Sequence, residues 1–383
     1  MRLLHISDLH AGKRLYERIN RNEDLIYALE QVYDICKGEK VEILLIAGDI
    51  FDKRNPDFES QSLMLDFLTR INSLGTHTLL IAGNHDSYDF MKIYSNLRKL
   101  SNIHAFDRPK KNIEEAIFDY KGLRVACLPY PDERVLTELG EDKERSYAEK
   151  VSQYMKALAK KVEEVPYGIL LAHLTVDKAK LAGSELPYSV MPSYAVRADT
   201  IPEVFKYVAL GHIHRYQRIE NAVPKVYYSG SLYQIDFSEK DTEKYANLLV
   251  LEEGIVKVNP TKLTLKRRLA EVELKEGDNI EKNLEPFTKE NVLLKVKLRV
   301  NMGDPFFNIK KERIERLLGE KLAKLDIEPI GVNSVAASQQ EGFDLLDLYV
   351  DFYNKEYGEK PPQDLKELLQ DIIDRVSHEA PQT

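Results

Sequence analysis

Along its first 260 residues the 383-residue chain repeats one pattern, in which a short apolar run ends abruptly in polar residues and an amphipathic stretch follows. The runs are Leu3 to Ile6, Ile43 to Ala47, Thr78 to Ala82, Ile169 to Ala172 and Tyr207 to Leu210. Between them, Glu23 to Lys37, Glu59 to Leu74 and Glu144 to Glu164 space their apolar residues by three and four, as helices do. Strands that alternate with helices predict an α/β fold. Arg124 to Leu128, Val226 to Ser229 and Asn247 to Glu252 are further strands, and no long helix separates the last two, so part of the sheet is antiparallel. The expected architecture is a sandwich of two mixed sheets with helices outside.

After Pro260 the texture changes. LTLKRRLAEVEL is followed by VLLKVKLRV, whose strict alternation predicts a strand with one buried and one basic face, and then by a helix over Ile309 to Lys324. This reads as a small α+β second domain. From Phe343 two short helices are expected, parted by Gly358, Pro361 and Pro362. In the second, Leu365, Leu368, Leu369, Ile372, Ile373 and Val376 share one face, an apolar stripe that fits a partner.

No apolar run approaches the roughly 18 residues of a membrane helix. MRLLHISDLH meets charge and histidine too early for a secretory signal, and two cysteines, Cys36 and Cys127, suit a reducing compartment, so the chain is expected in the cytoplasm.

Each of the five runs ends in potential metal ligands: Asp8 and His10 in SDLH, Asp49 in AGDIFD, Asn84 and His85 in AGNHD, His173 in LAHLT, and His212 with His214 in LGHIH. Parallel strands gather such residues at their carboxyl ends. Imidazole, carboxylate and amide donors without cysteine suit manganese, iron or zinc and disfavour a structural zinc. One carboxylate can bridge two ions about 3.5 to 4 Å apart, the spacing of two-metal phosphoester chemistry, and Asp49 is the natural bridge. In DLH and HIH, ligands two apart project to one side if the backbone is extended. Gly48, Gly83 and Gly211 are expected to allow the turn off each strand end. His5, His77, His104 and His378 are read as structural, His5 as a satisfied core position. Asp52 and Asp86 are read as hydrogen-bonding partners of the site, Asp86 orienting His85.

The order DxH, GDxxD, GNHD, an isolated histidine and GHxH resembles that of the calcineurin-like metallophosphoesterases. SDLHAGKRL, AGDIFDKRNP, AGNHDS, ALGHIHR and YSGSLYQIDFSE, spanning residues 1 to about 240, narrow the resemblance to the SbcD and Mre-type DNA repair nucleases; the remainder matches by layout. The resemblance implies a metallophosphoesterase (nuclease) domain over residues 1 to 260, an α+β capping domain over 261 to 340 that helps orient DNA, and a helical tail over 341 to 383 that grips an SbcC-type coiled-coil ATPase. It implies two divalent ions, usually manganese, one held by Asp8, His10, Asp49 and His214 and the second by Asp49, Asn84, His173 and His212. His85 is then the catalytic histidine beside the scissile phosphate, stabilising the transition state or protonating the leaving oxygen. The implied activity is hydrolysis of DNA phosphodiesters, by exonuclease cleavage of duplex and endonuclease cleavage of single strands and hairpins, in double-strand break repair, recombination and replication, by a homodimer. Archaeal relatives can carry a histidine where Asp52 stands, so Asp52 is given no part in strand handling. No GxxxxGKS or GxxxxGKT loop occurs, so an ATPase must come from the partner.

A net charge of −8 argues at first against nucleic acid. Divided by segment, residues 1–260 carry −4, 261–340 carry +3 and 341–383 carry −7. Lys262, Lys266, Arg267 and Arg268, with Lys295, Lys297 and Arg299, are the expected DNA surface, and bound ions add positive charge at the cleft. Two other readings compete. A phosphatase or cyclic-nucleotide phosphodiesterase acting on small molecules or phosphoproteins needs no second domain or tail, and the GDxVDRG and GNHE forms are absent. A non-catalytic scaffold would show missing ligands, and none is missing.

Overall fold

The apolar runs form strands whose alternate residues enter two different cores. Arg2–Ile6 sends Leu3 to one layer and Leu4 and Ile6 to the other, and Ile43–Ile46 divides Ile43 and Leu45 from Leu44 and Ile46 in the same way. With both faces covered, a strand reads as an unbroken apolar run. The computed structural model describes residues 1–139, 145–185, 190–301 and 307–330, with positions 350, 361–363, 365–368 and 370.

One sheet runs Ile255–Leu263, Lys244–Glu252, Arg2–Ile6, Ile43–Ile46, His77–Ile81 and Ile103–Phe106. Its last four strands are parallel and the first two antiparallel. The other sheet runs Gln217–Ile219, Lys225–Tyr228, Tyr207–Gly211, Tyr167–His173, Leu123–Leu128 and Ile117–Tyr120, with four parallel strands between antiparallel edges. Leu3, Leu45 and Ile81 of the first sheet share a core with Val125, Ile169 and Leu171 of the second. Helices Asn22–Gly38, Phe58–Ser73 and Tyr88–Ser95 cover the outer face of the first sheet. Helix Tyr147–Val162 covers the second through Val151, Met155 and Leu158. Its start is set by a capping box between Ser146 and Glu149. The fold is thus a sandwich of two mixed sheets flanked by helices, and the five ligand-bearing strands are all members of parallel sets.

His5 is wholly buried within its strand, with Nδ1 2.9 Å from the Tyr207 hydroxyl. Burial pushes its imidazole down to about 3, so the ring is neutral.

The change of texture at Pro260 falls inside the strand Ile255–Leu263, which lies at a sheet edge, where a proline costs least. A third sheet orders Arg268–Leu274, Val292–Asn301 and Leu322–Ile330, and the first two of these are parallel. The helix expected over Ile309 to Lys324 is shorter: Phe307–Leu318 is helical, Gly319 takes a positive φ of 51°, and the chain turns into a strand at Leu322. A left-handed glycine ends helices. Met1–Leu298 with Asn308–Ile327 form one compact unit, and Arg299–Phe307 with Glu328–Thr383 the other. Among the described residues no helix is long and apolar enough to cross a membrane.

Candidate metal centre

The ligand loops have unusual backbone. Asp8, His10, Asp49 and His212 have φ of 54°, 45°, 49° and 101°. Such conformations cost on the order of 1–3 kcal/mol each and persist where surrounding structure enforces them. The extended DLH segment expected from its spacing is therefore corrected: two left-handed residues bring Asp8 and His10 to the site. They are held by the neighbouring loop, since Asp8 N donates to Gly48 O at 3.1 Å and His10 N to Asp49 O at 3.0 Å. Gly48 makes the expected turn, with φ of 88°. Gly83 and Gly211 serve another need, close approach: a Cβ on Gly83 would lie 2.1 Å from Asp49 Oδ1, and one on Gly211 1.9 Å from the Ala47 carbonyl oxygen.

Two clusters share Asp49, and a third group brings His85 together with His10 and Asp52. Asp8, His10, Asp49 and His214 form the first, and Asp49, His173 and His212 the second, with ligand atoms in each within 4.8 Å of one another. His10 Nε2 lies 3.1 Å from His214 Nε2 and 3.7 Å from Asp49 Oδ2. His173 Nε2 lies 3.4 Å from Asp49 Oδ2 and 3.2 Å from His212 Nδ1. Asn84 Oδ1 sits between these two rings, 3.0 Å from His173 Nε2 and 2.8 Å from His212 Nδ1. All seven expected ligands thus come together, six of them nearly solvent-free and Asn84 7% exposed.

The donor chemistry fits divalent ions. His173 Nδ1 donates to the Ala47 carbonyl at 2.7 Å, so its Nε2 offers a lone pair toward Asp49 and Asn84, which are themselves acceptors. His214 Nδ1 likewise faces Ser184 Oγ at 2.6 Å and Glu239 Oε1 at 3.1 Å, which leaves Nε2 for the cluster. Convergent acceptors repel unless a cation lies among them, and in the metal-free protein protons fill that role. Burial opposes protonation of His173, but the Asp49 charge overrides it and raises the ring to about 9. His214 is raised to about 9 against the same opposition by its bond to Glu239. Binding a metal requires both rings neutral. Loading the metal-free protein near neutral pH is therefore expected to release about two protons, with affinity climbing as pH rises toward 9. Calorimetry in buffers of different ionisation enthalpy measures the count, and binding without proton release would contradict it.

Residues 1–216 match the family described as calcineurin-like phosphoesterase. The chain belongs to that family. It is 31% identical over 263 residues to the SbcD subunit of the SbcCD nuclease of Bacillus subtilis strain 168, a match that covers 66% of this chain and 67% of that protein. A dimetal phosphatase from Danio rerio aligns over 66% of this chain and 93% of its own with 11% identity and a TM-score of 0.42, too slight a likeness to bear on function.

In this phosphoesterase His85 lies at the rim of the cluster, half-buried, its ring 4.8 Å from that of His10. Its Nδ1 lies 2.8 Å from the Asp52 carbonyl oxygen and its backbone N donates to Asp49 Oδ1 at 3.0 Å. The residue that orients His85 is therefore Asp52, through its main chain. Asp86 does not touch the ring: its carboxylate accepts from the backbone N–H groups of Ile50 at 3.1 Å, Phe51 at 3.0 Å and Gly83 at 2.8 Å, and so staples two ligand loops together. Burial and the Asp49 charge push Asp86 up to about 6. The Asp52 side chain partners the site as expected, 3.4 Å from His10 Nδ1 and 3.1 Å from Lys13 Nζ.

Glu239, within the YSGSLYQIDFSE segment, carries no spacing signal that marks it for the site. It is fully buried, 2.5 Å from Lys244 Nζ and 3.1 Å from Ser231 Oγ, and it backs His214. Although burial opposes ionisation, the Lys244 ammonium holds its carboxyl well below the usual range. Glu239→Ala would strand Lys244 without a counter-charge and is expected to cost about 3–5 kcal/mol. A urea titration giving less than about 1 kcal/mol would contradict this.

The seven basic residues of the expected DNA surface all carry acidic partners. Lys262 pairs with Glu243, Lys266 with Glu23, Arg267 with Asp24, Arg268 with Glu290, Lys295 with Asp326, Lys297 with Glu271 and Arg299 with Glu328. Arg267 is the most committed, because Asp24 is buried and also accepts from the fully buried Arg21. Of the apolar tail positions, Leu365 is half-buried and Leu368 is 57% exposed; Leu369, Ile372, Ile373 and Val376, like His378, lie outside the described residues.

Proposed function

We propose that this chain is an SbcD-like nuclease that hydrolyses DNA phosphodiester bonds with two manganese ions, cutting duplex ends and opening hairpins during break repair and recombination. The observation that supports this most is the sharing of Asp49 between two buried ligand clusters with a non-ligand histidine, His85, at their rim. Asp8, His10, Asp49 and His214 would hold one ion and Asp49, Asn84, His173 and His212 the other. Bound there, the ions would acidify an attacking water and offset charge on the phosphate. The chain's own part is to hold the ligands rigidly, by the left-handed loops and the Asp86 staple, and to place His85 where it can protonate the leaving oxygen. The Asp52 carbonyl fixes the His85 ring so that Nε2 faces away from that bond.

The name of the Bacillus subtilis relative supports an SbcC-type ATPase as partner, which the tail over residues 341–383 would grip. Phe58, Leu65 and Ile93, 82%, 46% and 62% exposed, line an apolar groove of about 370 Å³ that a second copy would cover in a homodimer, which sedimentation of the purified chain reads directly. Phosphate contacts fall to Lys262, Lys266, Arg268 and Arg299, whose exposed ion pairs are worth roughly 0–1 kcal/mol and exchange readily for DNA phosphate, and less readily to Lys295 and Lys297, whose pairs are part-buried; Arg267 serves structure. Binding would weaken with salt.

The test compares linear duplex, hairpin DNA and p-nitrophenyl phosphate as substrates in manganese. Chelator-sensitive cleavage of both DNAs at rates far above the monoester is expected. Hydrolysis of the monoester alone would make the chain a phosphatase.

A further inference from the structure

Beside the metal centre lies a cavity of about 320 Å³ that the chemistry so far leaves unused. We propose that it takes the nucleobase of the nucleotide next to the scissile phosphate. The inference rests on the phosphodiesterase reading above and assigns the part of the substrate that the ions do not touch.

Three observations carry it. The first is continuity. Asn84, whose Oδ1 lies against both His173 and His212, also lines the cavity, and the Tyr130 ring in its wall is 6.1 Å from the His212 ring. A phosphate held at the ions would leave its nucleoside at the cavity mouth. The second is size: 320 Å³ is at the small end of ligand pockets, room for one base and far too little for duplex.

The third is chemistry. A phosphate pocket would carry one sign of charge, whereas this wall sets Arg54, Arg108 and Arg134 against Asp89, Asp132 and Glu138, with Asp86 turned to its backbone N–H partners. Balanced donors and acceptors suit a heterocycle edge, which presents both. Tyr130, half-buried, offers a flat face of the kind on which bases stack. The wall is braced, because the Tyr88 hydroxyl donates to the Tyr130 carbonyl at 3.2 Å and the Arg108 guanidinium lies 5.1 Å above the Tyr88 ring. Arg54 and Arg134 are exposed, and their side chains have no partner among the described residues, unlike the seven paired cations described above.

Calorimetry of the full chain in manganese separates the base from the phosphate by comparing deoxyadenosine monophosphate with deoxyribose 5-phosphate. The base is expected to add roughly 10-fold or more in affinity. Tyr130→Ala should abolish that gain, Tyr130→Phe should keep it, and Arg134→Ala should lower it several-fold, while affinity for the sugar phosphate holds in all three. Equal affinity of the wild type for the two probes, or an equal loss for both in Tyr130→Ala, overturns the assignment. Hydrolysis of bis(p-nitrophenyl) phosphate, which has no base, is followed on the same protein. Its absence beside an intact base preference would sink the catalytic reading and leave the pocket standing.

Discussion

Asp49→Ala is expected to empty both halves of the metal centre at once and to lower phosphodiester hydrolysis at least about 10³-fold. The magnitude follows from the several kcal/mol that metal ions supply to such transition states, at about 1.36 kcal/mol per tenfold in rate. Among the described residues no other side chain belongs to both of these clusters. Asp49 Oδ2 lies 3.7 Å from His10 Nε2 on one side and 3.4 Å from His173 Nε2 on the other, while Oδ1 is occupied by the His85 backbone N–H. Asp8→Ala, by contrast, removes a ligand from one cluster only, its contact with the other being a 2.9 Å hydrogen bond from the His212 backbone N–H, and should leave one ion in place. Elemental analysis of the dialysed variants decides the matter, with circular dichroism as the check on folding. A folded Asp49→Ala protein that keeps two ions would show that the carboxylate is not shared.

His85→Ala should have the opposite signature: both ions retained, with turnover of DNA reduced by about 10²–10⁴-fold, the range of a lost general acid. The geometry separates it from those ligands, because Nδ1 is committed to the Asp52 carbonyl at 2.8 Å and the half-buried ring groups with His10 and Asp52 rather than with the two clusters that share Asp49. If its task is to protonate the leaving oxygen, the defect should shrink sharply on bis(p-nitrophenyl) phosphate, whose leaving group departs without a proton. An equal loss on both substrates would assign His85 to charge stabilisation, and loss of metal from the variant would make it a ligand.

The strands and the convergence of the candidate ligands are legible because their signals are local. A run of apolar residues buried on both faces stops where polar ligands begin, and parallel pairing does the rest. What stayed hidden depends on distance along the chain or on the main chain. His214 is backed by Glu239 and Ser184, 25 and 30 residues away, which no spacing rule connects. The orienting group for His85 is a backbone carbonyl, which every residue possesses, so the adjacent carboxylate of Asp86 drew an assignment that its three N–H partners rule out. The left-handed backbone at Asp8 and His10 is likewise hard to read from residue types, since aspartate and histidine, though enriched at positive φ, adopt it in only a small share of cases. Basic residues are easy to count, yet their neutralising partners lie 243 positions away for Lys266 and Arg267 and 19 to 31 positions away for the other five.

Manganese bound per chain, titrated to saturation while DNA hydrolysis is followed in the same samples, is the deciding quantity. Two ions per wild-type chain, with cleavage rising as the second is filled, is the predicted result. Saturation at one ion, or cleavage at full rate in chelated protein, would contradict a shared-carboxylate nuclease centre.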